Sequence, residues 1–274
     1  MRLSTSCHLE FDVTAPVPFV LMLRPRSGDG QWIIREEYQL EPMVEVHEFS
    51  DDFGNLCQRL TAPQGRFVVH TSAEVIAPDA MDIGLGAPLV PIPLLPAAML
   101  KFLLPSRYCE SEMFGQMAAE LTAGQRPGYD QVAAISNWVR ENVTYIPGSG
   151  AVAVSAVAIN ERRSGVCRDL AHLGIALCRA LCIPARLVVG YLHQLEPMDL
   201  HAWFEAYVDH RWYTFDATQQ VLRGGYVPIG FGRDAADVAV YNQFGPPVLP
   251  TTALVGVEQL PTLPSWLPLE APED

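Results

Sequence analysis

One cysteine of the sequence, Cys167, stands where a helix is expected to begin. It follows Gly165 by two residues, and leucines recur at spacings of three and four across residues 170–181, until Pro184 ends the pattern. The free backbone N–H groups and the dipole at a helix start favour negative charge, so they favour a thiolate over a thiol. Because many cysteines simply pack as small apolar side chains, this one needs partners before it indicates a nucleophile.

A histidine and an aspartate on a predicted hairpin could be those partners. The runs His201–Val208 and Arg211–Ala217 read as strands, with Asp209-His210 as a two-residue turn between them. In this register His201 and Asp216 project from the same face of neighbouring strands, within side-chain reach. A loop one residue longer would put them on opposite faces. A carboxylate bound to one imidazole nitrogen leaves the other nitrogen free to take a thiol proton, which is the chemistry of a catalytic triad.

Two long blocks around these residues resemble the catalytic core of the bacterial transglutaminase-like superfamily. They are 165-GVCRDLAHLGIALCRALCIPARLVVGYL-192 and 201-HAWFEAYVDHRWYTFDAT-218. Shorter segments at 103–108 and 232–238 resemble members that carry an N-terminal β-domain, so the resemblance covers roughly residues 103–240. It implies a papain-like arrangement with Cys167 as nucleophile, His201 as base and Asp216 as the residue that orients the base. The family often has Phe and Gly where Leu170 and Cys182 stand, and neither departure touches this chemistry.

Two classes of function follow from the resemblance. The first is cysteine-dependent acyl transfer on an amide or isopeptide bond through a thioester intermediate, as in a cysteine protease, an amidase or a transglutaminase. The second is a catalytically silent scaffold that binds a protein partner. The complete set of Cys167, His201 and Asp216 favours the enzyme, since a scaffold has no need of all three. We expect a protein or peptide substrate, or a small amide, while hydrolysis and transamidation are both compatible with the sequence.

Other residues near the predicted site have structural and functional readings. Trp203 lies two residues after the histidine on the same face, so it is either a substrate-binding wall of the acyl site or a core aromatic. His172 is about 140° around the helix from Cys167, which predicts a structural hydrogen bond rather than a second base. Asp169 is expected to balance charge at the helix start. The backbone N–H of Cys167 is the expected oxyanion donor.

A zinc site is the main rival interpretation of the cysteines. Cys167 and Cys178 are eleven residues apart, about 16 Å along one helix, which is too far to share an ion with bonds of about 2 Å. Cys178 and Cys182 are one turn apart, but apolar residues surround them in the sequence, so we expect both to pack in the core. The sequence also has no G-x-G-x-x-G or P-loop motif. We therefore expect no metal and no cofactor.

The rest of the chain divides by pattern into four parts. Short alternating runs separated by turns, such as residues 43–47, predict a β-domain over residues 1–80. A proline-rich connector follows at 81–105, then the catalytic core at 106–258 and an irregular acidic tail at 259–274. We predict an α+β protein: a papain/transglutaminase-like core, with helices packed on an antiparallel sheet, preceded by a small all-β sandwich or barrel domain.

Charge limits the range of partners. The 274 residues include 31 acidic and 18 basic side chains, a formal net charge of −13, which disfavours nucleic acid and anionic membranes. The uncharged run Ile83–Leu100 contains four prolines, which a membrane-spanning helix does not readily tolerate. The N-terminus lacks the pattern of a signal peptide, so we expect a cytoplasmic protein whose six cysteines are reduced thiols.

Overall fold

The first third of the chain forms antiparallel strands, several of which alternate between buried and more exposed side chains. A computed structural model describes residues 1–28, 30–148 and 152–261. The first strand, β1, runs over Arg2–Val13 and alternates in this way along its length. The next five strands are β2 Val17–Leu21, β3 Trp32–Glu41, β4 His47–Ser50, β5 Leu56–Ala62 and β6 Gly65–Ile76.

Two more strands from the C-terminal part of the chain return to this β-module. Of the later strands, β13 (Tyr241–Gln243) pairs with β2, and β14 (Pro250–Gln259) pairs with β1. The module thus consists of two four-stranded sheets, in the orders β14-β1-β6-β3 and β13-β2-β5-β4. The prediction that residues 106–258 form the core did not anticipate this return. Pairing between strands more than 200 residues apart leaves no local pattern.

Within the part of the chain that the structure describes, the connector leads into four α-helices and two short strands. Residues 81–105 contain two 3₁₀ turns, Ile92–Leu94 and Ala97–Phe102. The helices are α1 Gly115–Leu121, α2 Tyr129–Asn142, α3 Ala156–Arg162 and α4 Cys167–Ala180. Strands β7 (Thr144–Tyr145) and β8 (Ser164–Gly165) form a parallel pair just before α4.

The sheet that carries the predicted site is antiparallel, with the strand order β11-β10-β9-β12. Its strands are β9 Ala185–Leu192, β10 His201–Val208, β11 Arg211–Phe215 and β12 Tyr226–Gly232. Helix α4 packs closely on one face, since a Cβ at Gly174 would lie 2.7 Å from the ring of Phe204. A helix on an antiparallel sheet, with a β-module before it, confirms the predicted α+β class.

Two predictions concern segments outside these elements. Only residues 259–261 of the predicted acidic tail are described, and Gln259 is the last residue of β14. The tail from residue 262 onward lies outside the described residues. No helix among those described has the length and apolar character needed to cross a membrane.

Candidate active site

A tight hairpin joins the two strands that carry the predicted histidine and aspartate. Val208 of β10 lies opposite Arg211 of β11, and the two residues between them, Asp209 and His210, have positive φ angles of 48° and 60°. Two successive left-handed residues form a type I′ turn, whose twist matches that of the flanking strands. The loop therefore has the predicted two residues, and this register brings the predicted histidine and aspartate onto one face.

His201 and Asp216 meet on that face through a direct hydrogen bond. Nε2 of His201 lies 2.7 Å from Oδ2 of Asp216. The two side chains are 0% and 1% exposed, so water does not compete for the bond. A carboxylate in this position fixes both the tautomer and the orientation of the ring.

Two residues that the sequence analysis did not single out complete the surroundings of Asp216. The Tyr226 hydroxyl donates to Oδ2 at 2.9 Å. The backbone N–H and the hydroxyl of Thr218 donate to Oδ1 at 2.8 and 2.7 Å. The Asp216 carboxylate thus accepts hydrogen bonds from three residues, which hold it in one orientation. Thr218 is close in sequence and belongs to the motif quoted above, whereas Tyr226 comes from β12 and had no sequence signal.

Local packing sets the point at which α4 begins. The parallel pairing of β7 and β8 places Tyr145 opposite Gly165, two residues before Cys167. The backbone N–H of Val166 donates to Oδ2 of Asp169 at 3.3 Å, which caps the first turn as in the second half of a capping box. A Cβ at Gly165 would lie 2.9 Å from Cβ of Asp169, so only glycine fits there without displacing the cap.

His201 and Cys167 are neighbours in the site, and the Cys167 side chain contributes to the raised pKa of His201. Nε2 of the ring is bonded to Asp216, which leaves Nδ1 as the nitrogen available to a thiol. Nδ1 is buried and makes no hydrogen bond of normal geometry within the described residues. Catalytic hydrogen bonds are often long in unliganded sites and tighten when substrate binds. Cys167 itself is half-buried.

The charges of this group favour a protonated imidazole. Burial alone would lower the pKa of His201, but the Asp216 carboxylate and the Cys167 side chain outweigh it and raise that pKa to about 10. Burial would likewise raise the pKa of Asp216, but His201 and the hydrogen bonds from Thr218 lower it below its usual value. At neutral pH the pair is therefore an imidazolium bound to a carboxylate.

Trp203 is buried beside the histidine. Its side chain is 1% exposed, and its ring is tilted 27° from that of His201 with centroids 6.1 Å apart. The Trp203 ring also makes an edge-to-face contact with the Tyr226 ring, with the two ring centroids 5.0 Å apart. Trp203 therefore shields the His201–Asp216 pair from solvent.

His172 and Asp169 take structural positions. His172 is fully buried, and its Nδ1 lies 3.0 Å from the carbonyl oxygen of Val154, while the N–H of Ala235 donates to its Nε2 at 3.2 Å. The ring is therefore the neutral Nδ1–H tautomer and ties the segment before α3 to the segment after β12. Asp169 is 1% exposed and bonds to the N–H groups of Val166 and Val154.

The other cysteines differ from Cys167 in exposure. Cys178 packs in the core as predicted, whereas the prediction for Cys182 is wrong because its side chain is exposed. The reason is a left-handed backbone, with φ of 59°, just after α4 ends. The remaining three, Cys7, Cys57 and Cys109, are buried free thiols.

Comparisons with known proteins show the family to which the chain belongs. A model of the transglutaminase-like superfamily matches residues 115–217, and a model of the bacterial transglutaminase-like N-terminal region matches residues 12–76. The crystal structure of a putative cysteine protease from Cytophaga hutchinsonii is 36% identical in sequence, with a TM-score of 0.85, over 96% of this chain and 91% of that one. The chain belongs to the transglutaminase-like superfamily.

Two further relatives of this chain come from mycobacteria. An uncharacterized protein of Mycobacterium leprae is 28% identical over 232 residues, which are 79% of this chain and 82% of that protein. An uncharacterized protein of Mycobacterium tuberculosis is 24% identical over 243 residues, which are 79% of this chain and 77% of that protein. In this member of the superfamily, the segment matched by the core model contains Cys167, His201 and Asp216.

Proposed function

We propose that the protein is a cysteine-dependent acyl-transfer enzyme that cleaves amide or isopeptide bonds through a thioester on Cys167. The observation that carries the proposal is the position of His201. One ring nitrogen is held by a buried carboxylate, and the other makes no hydrogen bond within the described residues. A half-buried thiol at a helix start is its neighbour in the site and contributes to its raised pKa. A structural histidine has no need of this arrangement.

The chemistry proceeds in two half-reactions. With the proton on His201, the Cys167 sulfur attacks the amide carbon, and the carbonyl electrons move to oxygen. The backbone N–H groups at the start of α4 stabilise the oxyanion. As the intermediate collapses, the C–N bond breaks and the amine leaves with the proton from Nδ1 of His201. In the second half-reaction, water or a second amine gives a proton to Nδ1 of His201 and attacks the thioester carbon. The C–S bond then breaks and releases the Cys167 sulfur as a thiolate, which regenerates the starting pair of thiolate and imidazolium.

Hydrolysis of a peptide or protein is the reaction we propose first. The Cytophaga hutchinsonii relative, with 36% identity over most of both chains, is described as a putative cysteine protease. The shielding of His201 and Asp216 by Trp203 also supports acid–base chemistry, because a low-dielectric surround strengthens the ion pair.

An acylation assay with p-nitrophenyl acetate tests the proposal. The full chain should release a burst of nitrophenol equal to its concentration and should gain one acetyl group on the peptide that contains Cys167. Cys182→Ala, which removes the exposed thiol far from the site, is the matched control and should keep the burst. Adding an alkylamine during the slow phase then separates hydrolysis from transamidation.

Two results of this assay would contradict the proposed mechanism. If Cys167→Ala shows the same burst, or if the acetyl group is found on another residue, the thioester mechanism is excluded. A chain with no burst and a slowly alkylated Cys167 is the silent scaffold of the alternative interpretation, whose role is to bind a protein partner.

A further inference from the structure

Two histidines of the β-module face each other on the outer surface of one sheet. His8 of β1 lies directly opposite His70 of β6. The residues next to them, Cys7 and Thr71, are buried, whereas both histidines are half-buried, so the two imidazoles project from the outer face. No local pattern in the sequence indicates this pair, because only the pairing of the strands brings the two residues together.

The distance between the two rings is close to that of imidazoles that share a metal ion. The ring centroids lie 5.8 Å apart, and the ring planes are inclined by 54°. An ion bound tetrahedrally to two imidazole nitrogens, with bonds of about 2 Å, holds the ring centroids roughly 5 Å apart. A small rotation of either side chain would therefore close the site without movement of the strands.

The ring nitrogens of the pair are available to a ligand. Neither ring forms a hydrogen bond with another residue that the structure describes. Glu10, two residues from His8 on the same face, is already held by Arg66 and by Thr252, whose hydroxyl donates to its Oε2 at 3.0 Å. Among the described residues no three His, Cys, Asp or Glu side chains are grouped for metal binding. An ion at the pair would thus have two protein ligands, with water in the remaining positions.

We propose that His8 and His70 bind a divalent transition-metal ion through one nitrogen of each ring. Imidazole nitrogen is a preferred ligand of Zn²⁺, Cu²⁺ and Ni²⁺, whereas Mg²⁺ and Ca²⁺ take oxygen ligands. The net charge of −13 also favours a cation over an anion at the surface. The inference is independent of the proposed reaction, since Cys167, His201 and Asp216 take no part in it.

Titration of the full-length chain with Zn²⁺ tests the pair. The parent protein of the experiment carries Cys167→Ala and Cys182→Ala, because a half-buried and an exposed thiol are themselves potential zinc ligands. The readout is the set of histidine ring proton resonances, with the signals of His8 and His70 assigned by their loss in His8→Asn and His70→Asn. We expect both signals to change together and to saturate at one ion per chain, whereas Mg²⁺ should leave them unchanged.

Three single substitutions in this parent locate the ion. Loss of either imidazole, in His8→Asn or His70→Asn, should weaken Zn²⁺ binding at least about tenfold in calorimetry. His47→Asn is the matched control and should bind like the parent, because His47 is exposed on β4 and stacks on Phe49 rather than on another histidine. Urea unfolding without metal checks that the variants fold. Added Zn²⁺ should then raise the unfolding midpoint of the parent and of His47→Asn, but not of the other two variants.

Three results would each overturn the proposal. They are the absence of a saturable change at both rings up to about 1 mM Zn²⁺, an unchanged Zn²⁺ affinity in both His8→Asn and His70→Asn, and equal responses of the two rings to Zn²⁺ and Mg²⁺.

Discussion

Tyr226 and His201 donate hydrogen bonds to the same oxygen of Asp216, at 2.9 and 2.7 Å. The phenol comes from β12 and the imidazole from β10, so two strands of the sheet position one carboxylate. The proposed role of Asp216 as the residue that orients His201 therefore depends on Tyr226 as well.

Tyr226→Phe should slow acyl transfer by about tenfold, because a hydrogen bond to a charged group typically contributes about 1.5–3 kcal/mol. KM should change little, since the phenol touches Asp216 rather than substrate. Tyr191→Phe is the matched control, because its buried hydroxyl donates to the carbonyl of Leu23, away from the site. Both variants should lose stability in urea unfolding. Equal kcat values in the two variants would show that Tyr226 has only a structural role.

The three proposed catalytic residues should differ in importance. Cys167→Ala should abolish acylation, because no thioester can form. His201→Ala should be nearly as severe, since the leaving amine loses its proton donor. Asp216→Asn should keep partial activity, because Thr218 and Tyr226 still hold the side chain while its charge is lost. Burst amplitudes and kcat measure the order, and a fully active Asp216→Asn would remove that residue from the mechanism.

Alkylation should distinguish Cys167 from the other thiols over a defined pH range. The pKa of His201 is about 10, so the imidazolium remains beside Cys167 from acidic pH to about pH 10. At pH 6 we expect iodoacetamide to label Cys167 roughly 100-fold faster than Cys182, the exposed internal control, because the neighbouring imidazolium and the start of α4 both favour negative charge on the Cys167 sulfur. In His201→Ala the two rates should converge. Preferential labelling of Cys182 in the unmodified protein would contradict the mechanism.

Gly165→Ala tests how the start of α4 is positioned. The new methyl group would press on Asp169 and on Ile159, which lie 2.9 and 3.0 Å from the ideal Cβ position. We expect a loss of about 1–3 kcal/mol in unfolding free energy and slower alkylation of Cys167. Gly115→Ala, where nothing lies within 4 Å of the Cβ, is the control and should change neither quantity by much. A Gly165→Ala variant as stable as the parent would show that Asp169 can shift freely.

His172 should make the fold sensitive to acid. Burial lowers its pKa to about 4, against about 6.5 in an unfolded chain. Between these values the unfolded state binds the extra proton, so stability falls as pH decreases from about 6.5 towards 4, by up to about 1.4 kcal/mol per unit. His172→Gln should show a shallower decrease in urea unfolding at pH 7, 6 and 5. The exposed His47→Gln should behave like the parent, and parallel curves for all three proteins would contradict this account.

The sequence by itself was sufficient for features that depend on neighbours along the chain. The start of α4, the two-residue turn at Asp209-His210 and the shared face of His201 and Asp216 all follow from spacing and turn geometry. These features need only helical and strand periodicity, which operate over a few residues.

Only the tertiary structure decided the features that depend on contacts between distant segments. Tyr226 reaches Asp216 from a third strand, and β14 pairs with β1 across the whole chain. Pairing and burial at such separations are set by how the elements pack, and packing depends on the summed fit of many side chains rather than on any local pattern.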